Sequence, residues 1–193
     1  MTKEQLIAFE KRVAEAFERK EVRGPVHLSG GNENQLIDIF KDIHPEDWLC
    51  CSYRQHYHAL LHGVSEEKLF QAICDGHSMT LQFPEHHFFS TAIVGGQLSI
   101  ATGIAAALKR KGCHRKVWVF CGDMAATTGI CAEASRYAQG HSLPLHIVIE
   151  DNGLSTNTPT SVVWGSSDEE LHYERYHYER VYPHVGIDRW VQF

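Results

Sequence analysis

Residues 116–123 are KVWVFCGD, and residues 145–153 are LHIVIEDNG. Each stretch begins with a short apolar run that is typical of a buried strand. A helical pattern from about Gly129 to Gln139 lies between them, so we predict a strand, a helix and a second, parallel strand. Length and pattern together predict one α/β domain over residues 1–193, with a doubly wound parallel sheet flanked by helices.

The remaining elements follow from hydrophobic spacing and capping residues. Further helices are predicted at residues 6–17, 34–41, 65–76 and 97–111, and a brief buried strand at residues 48–52. Residues 77–91 show no period, so we expect a loop there. The uncharged stretch from Ala92 to Leu108 approaches the length of a membrane span, but its glycines and polar residues favour a buried helix.

Composition excludes several classes of protein. The chain carries 18 basic and 24 acidic residues, and this net charge of -6 argues against general binding to nucleic acid or to anionic membranes. The six cysteines lack zinc-type spacing and no signal-peptide pattern precedes them, which predicts reduced thiols and a cytoplasmic location. The histidines, including His56, His58 and His62, show no recognised ligand pattern, so we expect no metal site built from them.

The C-terminal region has a different character. Tyr173, Tyr176, Tyr178 and Tyr182 are interleaved with charged residues. This alternation predicts an edge strand or a subunit contact, and less readily the wall of a ligand site.

Oxygen donors follow both central strands, at the edge where open α/β sheets bind ligands. Asp123 offers a carboxylate, Asn152 an amide oxygen and Leu154 a backbone carbonyl, a set that suits Mg²⁺. The small residues around Asp123 (GDMAATTG) permit close approach of a diphosphate, and the helix start after them offers amide hydrogens. Gly-Asp or Asn-Gly alone is more often an ordinary turn, but together they predict a magnesium and diphosphate site.

Several segments resemble one known family. Gly122-Asp123 with Asn152 resembles the signature of thiamine-diphosphate-dependent enzymes, and residues 53–56 (YRQH) resemble the alpha subunit of 2-oxo acid dehydrogenases. Residues 92–97 (AIVGGQ) resemble the family's segment that lies against the aminopyrimidine ring. The resemblance implies the diphosphate-type domain of the thiamine-diphosphate-binding fold, with thiamine diphosphate and Mg²⁺ as cofactors.

The strand-end pattern and the resemblance together define the candidate site. The implied Mg²⁺ ligands are Asp123, Asn152 and the Leu154 carbonyl. Arg54 suits phosphate because its guanidinium matches phosphate oxygens with two parallel hydrogen bonds. The candidate cofactor-binding residues are Tyr53, Arg54, His56, Ala92, Val94, Gly122, Asp123, Met124, Ala125 and Asn152.

The resemblance also implies a partner. In this family a second type of domain binds the aminopyrimidine ring and supplies the catalytic glutamate, so we expect that domain on a separate subunit of a heterotetramer. No catalytic residue is assigned in this chain. Residues 175–178 match only the beginning of the family's histidine-containing loop, and His184 is a speculative substitute.

Three functions stay open at this point. The favoured one is a subunit of an enzyme that decarboxylates a 2-oxo acid. Residues 152–155 (NGLS) resemble the corresponding segment of transketolases, which suggests a split ketol transferase acting on keto sugars. Met124 stands where the family usually has glycine, so the loop must accommodate a side chain, and this suggests a non-catalytic cofactor-domain module.

Overall fold

The computed structural model describes residues 1–165 and 173–188. The helices are α1 (Lys3–Glu18), α2 (Glu33–Ile39), α3 (His56–Leu61), α4 (Glu66–Ala72), α5 (Gly96–Arg110), α6 (Asp123–Ala126), α7 (Gly129–Gly140) and α8 (Thr160–Trp164). The strands are β1 (Trp48–Cys51), β2 (Gln82–Phe83), β3 (Phe88–Ser90), β4 (Val117–Gly122), β5 (Leu145–Asp151), β6 (Leu154–Ser155), β7 (Thr158–Pro159) and β8 (Glu174–His177).

The main sheet has six strands in the order β2-β3-β1-β4-β5-β8. All neighbouring strands pair in parallel except β2 and β3, which are antiparallel. This arrangement confirms the predicted α/β fold with a mostly parallel sheet. After β1, the chain adds β2 and β3 on one side of that strand. It later adds β4 on the other side of β1. The boundary between β1 and β4 is therefore a topological switch point, where such sheets bind ligands.

Helices cover both faces of the sheet, so the central strands are apolar through their buried middle residues. One core contains Leu49 and Phe120 together with α1 to α4. The other contains Val119 and Ile149 together with α5 and α7. Burial on both faces explains why β4 and β5 appear in the sequence as continuous apolar runs, with no alternation.

Most predicted helices and strands are confirmed to within a few residues, and two predictions need correction. Residues 77–91 are not simply a loop, because they contain β2 and β3; these strands are only 2 and 3 residues long, too short to show a period. The helix that follows Ser65 is α-helical only to Ala72 and continues as a π turn over Ile73–His77, within which Gly76 has a non-helical φ of 93°. Helix α3 was not predicted.

The stretch from Ala92 to Leu108 forms most of α5, as expected, and packs on the sheet through Leu98, Ala101 and Ala105. Within the described residues, every helix is too short or too polar to cross a membrane. All six cysteines are free thiols. The single domain over residues 1–193 stays a prediction, because residues 166–172 and 189–193 lie outside the described ranges.

Strand β8 lies at the edge of the sheet beside β5, which confirms the edge strand predicted for the tyrosine-rich region. Beyond β8, the chain packs against residues 26–31; we call residues 178–187 the C-terminal segment. The amide of Gly186 donates to the Val26 carbonyl at 2.8 Å. Gly31 has a φ of 95°, and a Cβ atom there would lie 1.9 Å from the Glu179 carbonyl oxygen. Only glycine permits this close approach of the two backbones.

Candidate functional site

An open cleft lies at the carboxyl ends of β1, β4 and β5, beside the switch point. The sheet brings together predicted site residues that are far apart in the sequence. Those that line the cleft are Tyr53, Arg54, Val94, Gly122, Asp123, Met124, Ala125, Asn152 and Leu154. Binding of a cofactor or metal by these residues stays a prediction.

Asp123 is a buried carboxylate of the cleft, with 4% of its surface exposed. It accepts a hydrogen bond from the Thr160 hydroxyl, and the backbone amide of Asn152 also faces it. Burial raises the pKa of Asp123, and the nearby Asp151 carboxylate adds to this effect. No cationic side chain pairs with Asp123 in the part of the chain that the structure describes. A bound divalent cation would supply the missing charge.

Asn152 and Leu154 belong to a tight turn beside Asp123. The Asn152 side-chain oxygen accepts a hydrogen bond from the Leu154 amide at 3.0 Å, and its amide nitrogen donates to the Tyr178 hydroxyl at 3.0 Å. An amide oxygen has two lone pairs, so this acceptor retains capacity for a ligand. Residues 1–165 and 173–188 contain no cluster of three or more His, Cys, Asp or Glu side chains suited to a metal ion. The predicted Mg²⁺ site instead uses one carboxylate, one amide oxygen and one carbonyl.

Two arginines, Arg54 and Arg180, also line the cleft. Arg54 donates to the Leu28 carbonyl at 2.5 Å and to the His184 carbonyl at 2.9 Å. Burial lowers the pKa of Arg54, and the charge on Arg180 lowers it further. Within the described ranges neither guanidinium forms an ion pair with a carboxylate. An anionic ligand would stabilise both charges.

His56 and Ala92 do not line the cleft. His56 is fully buried, with Nδ1 2.8 Å from the Glu10 carboxylate and Nε2 2.9 Å from the Ser78 hydroxyl. Both ring nitrogens therefore have protein partners, and His56, at the start of α3, is a buried supporting residue. Ala92 is exposed, two residues before the cleft-lining Val94.

We expect replacement of Glu10 with glutamine to destabilise the fold by about 1–2 kcal/mol, because Glu10 holds two buried groups. Its Oε1 atom accepts from the Ser29 amide at 2.6 Å and lies beside His56. Glutamine keeps the acceptor oxygen, but its amide group would bury N–H donors where Glu10 Oε2 has no hydrogen-bond partner among the described residues. Urea unfolding measures the loss, and Glu15→Gln, an exposed position on the same helix, is the control. Equal unfolding midpoints for the two variants would contradict the proposed role of Glu10 in holding the Ser29 amide and His56.

Other cleft residues escaped the sequence-based prediction. They include Gln97, Glu150, Tyr178 and Arg180, and the cleft also contains His184, which the sequence offered only as a speculative substitute. The tyrosine-rich region, for which the sequence favoured an edge strand or a subunit contact, also places Tyr178 in the cleft, since the C-terminal segment lines one part of it. Burial raises the pKa of Tyr178 to about 12. The pair of glycines at positions 30 and 31 was the only local signal for this close packing.

Glu150 anchors a buried polar network behind the cleft. It accepts hydrogen bonds from the Tyr176 hydroxyl at 2.5 Å and from the Asn32 amide at 3.1 Å, and His58 Nε2 lies 3.2 Å away. Gln97 Nε2 donates to the Phe120 carbonyl at 3.2 Å, while its Oε1 is buried without a protein partner. Such networks fix side chains in place, so the end of β5 is held rigidly beside the cleft.

The chemistry of the cleft therefore fits a divalent cation together with a diphosphate. Within the described residues, Asp123 is a buried carboxylate without a cationic partner, and Arg54 and Arg180 have only neutral hydrogen-bond partners. Mg²⁺ is commonly shared between one or two carboxylates and the phosphates of a ligand. The donor set of this chain satisfies that requirement.

Comparison with known proteins identifies the class. The family model described as dehydrogenase E1 component matches residues 1–169, and the chain belongs to this family. This result confirms the resemblance to the alpha subunits of 2-oxo acid dehydrogenases.

Individual relatives agree with the family match. The pyruvate dehydrogenase E1 component subunit alpha of Rickettsia bellii is 31% identical over 160 residues, which cover 78% of this chain and 49% of that protein. The alpha subunit of acetoin:2,6-dichlorophenolindophenol oxidoreductase of Cupriavidus necator is 28% identical over 160 residues, covering 78% of this chain and 48% of that protein. A testis-specific mitochondrial pyruvate dehydrogenase E1 alpha subunit of Homo sapiens is 29% identical, covering 77% of this chain and 41% of that protein. The chain spans about half the length of the curated relatives it matches.

Proposed function

We propose that this chain is the thiamine-diphosphate- and magnesium-binding subunit of an enzyme that decarboxylates a 2-oxo acid, and that it acts with a partner subunit. The observation that carries the proposal is the meeting of Asp123, Asn152 and Arg54 in one cleft, although they follow three different strands. The similarity to alpha subunits of pyruvate dehydrogenase supports the choice of substrate class.

Each group has a proposed task. Asp123, Asn152 and the Leu154 carbonyl would hold Mg²⁺, while Tyr53 and Arg54 would bind the diphosphate. Thiamine diphosphate, when bound, supplies the electron sink that decarboxylation of a 2-oxo acid requires. The protein residues orient the cofactor and exclude water from the cleft.

Met124 lines the cleft, and its presence is compatible with this role because its sulfur has partners within the chain. The Trp164 indole nitrogen donates to the Met124 sulfur at 2.8 Å, and the Thr127 hydroxyl lies 3.8 Å from the same atom. These contacts draw the thioether towards α8. They favour a cofactor-binding domain over a degenerate module.

Exposed apolar side chains beside the cleft support the need for a partner. Ile93 is 71% exposed, Val94 is 52% exposed and Trp164 is 50% exposed. Large apolar side chains clustered at the rim of a ligand site are expected to be covered by another protein. We propose a partner subunit that carries the aminopyrimidine-binding domain and the catalytic glutamate, in a heterotetramer with two copies of each chain.

Calorimetric titration of thiamine diphosphate and Mg²⁺ into the full chain, alone and with a co-expressed beta-type subunit, tests the proposal. We expect tight binding that requires the partner, followed by turnover of pyruvate or a branched-chain 2-oxo acid. Transfer of a two-carbon unit between sugar phosphates, without decarboxylation, would favour the ketol transferase. Absence of binding in both settings would favour the non-catalytic module.

A further inference from the structure

Arg180 belongs to the C-terminal segment and lines the cleft together with Arg54. Its guanidinium donates to the Thr156 carbonyl at 3.1 Å and to the side-chain oxygen of Asn157 at 3.3 Å. Both acceptors are neutral and lie in the connection between β6 and β7. The contacts hold the guanidinium at the cleft without neutralising its charge.

A second arginine of the same region behaves differently. Arg175, on β8, lies 3.4 Å from the Asp151 carboxylate and does not line the cleft. Its charge is therefore compensated within the chain. Arg175 and Arg180 form a matched pair of arginines, one with an anionic partner and one without.

Positive charge converges at this wall of the cleft. Burial lowers the pKa of His184, and the charges of Arg54 and Arg180 lower it further. The charge of Arg180 also disfavours the charged form of Arg54. Two like charges held close together are unfavourable unless an anion lies between them or beside them.

We propose that Arg180 is a second phosphate-binding arginine, which binds the diphosphate of the ligand together with Arg54. The identity of the ligand in this inference rests on the proposed function. Its negative charge is inferred from the residues of the cleft alone. The planar guanidinium can bind phosphate oxygens through two hydrogen bonds, as Arg54 can. The diphosphate would then be held between the loop after β1, the C-terminal segment and the cation at Asp123.

A purely structural role for Arg180 predicts a different outcome. If it served only to hold the β6–β7 connection, a neutral donor at the same position would suffice. Arg180→Gln retains hydrogen-bond donors for Thr156 and Asn157 but removes the charge. Arg175→Gln is the control, because it removes the same charge from the same region outside the cleft.

The experiment is calorimetric titration of the full-length chain, with and without the partner subunit, in Mg²⁺. The two probes are inorganic pyrophosphate and thiamine diphosphate. Loss of one charged hydrogen-bonding group is expected to weaken binding of both probes by about tenfold to a hundredfold in Arg180→Gln. Arg175→Gln is expected to bind as the unaltered chain does.

The outcomes separate the inference from the proposed function. Unchanged binding of both probes by Arg180→Gln, or equal weakening in the two variants, would overturn the role of Arg180 and leave the proposed function intact. If the unaltered chain binds pyrophosphate but not thiamine diphosphate, the proposed function fails. In that case, the effect of Arg180→Gln on the affinity for pyrophosphate decides whether Arg180 binds phosphate. Failure to bind either probe would overturn both.

Discussion

Replacing Asp123 with asparagine is expected to abolish magnesium-dependent binding of thiamine diphosphate and to stabilise the ligand-free chain. Asparagine removes the one carboxylate of the proposed Mg²⁺ site. The expected loss of affinity exceeds about a hundredfold, since even groups that only support metal ligands contribute tenfold to a hundredfold. Calorimetry with the partner subunit measures this loss.

The gain in stability follows from the pKa of Asp123, which burial raises in the folded chain above the unfolded value of 3.8. The folded state therefore binds the proton more tightly, and the stability of the ligand-free chain falls as pH rises from 3.8 through the raised pKa. Asparagine carries no charge, so Asp123→Asn avoids this loss. We expect a gain of about 1 kcal/mol at pH 7, typical of relieved strain in a functional site.

Asp38→Asn is the control, because Asp38 is an exposed aspartate paired with Lys41 at the surface. It should change neither binding nor stability measurably.

The Mg²⁺ affinity of the unaltered chain should also decrease as the pH falls through the raised pKa of Asp123, since a protonated Asp123 cannot bind the cation. Tight, pH-independent binding by Asp123→Asn would show that the cation binds elsewhere.

Replacing Gly31 with alanine is expected to destabilise the chain by about 3 kcal/mol or more, which is exceptional for one methyl group. The added Cβ would lie 1.9 Å from the Glu179 carbonyl oxygen, and a backbone atom cannot rotate away as a side chain can. The φ of 95° adds strain of its own. The C-terminal segment must therefore shift, and Tyr178 and Arg180 must leave the cleft wall.

The control variant Gly24→Ala separates the backbone strain from the steric clash. Gly24 has a φ of 106°, but a Cβ there meets nothing within 4 Å. Its cost should be the backbone strain alone, about 1–2 kcal/mol. Urea unfolding of both variants gives the comparison, and similar losses of stability would refute the close packing of Gly31 against Glu179.

The half of the site built from strand ends could be predicted from the sequence. Strand β4 and the middle of β5 are apolar runs, and the polar residues directly after these strands must emerge at one edge of a parallel sheet. Asp123 and Asn152 therefore come together for reasons that are local in the sequence. The family resemblance added Tyr53 and Arg54, which the structure places in the same cleft.

The other half of the site depends on packing between segments that are distant in the sequence. Tyr178, Arg180 and His184 reach the cleft because the C-terminal segment packs on residues 26–31, and no periodic pattern encodes that contact. His56 shows a second limit of prediction from the sequence. A linear pattern places it beside Arg54 but does not say which side chain faces the ligand, and only the buried Glu10 and Ser78 partners settle its orientation.

The contact between Gly31 and Glu179 also has a consequence for the order of folding. It joins two segments separated by most of the chain, and such distant contacts carry a large loop-closure entropy and form late. The cleft wall is thus expected to be among the last parts of the fold to close. A ligand that binds the closed wall would oppose its opening, and would slow hydrogen exchange at the amide of Gly186, which donates to the Val26 carbonyl.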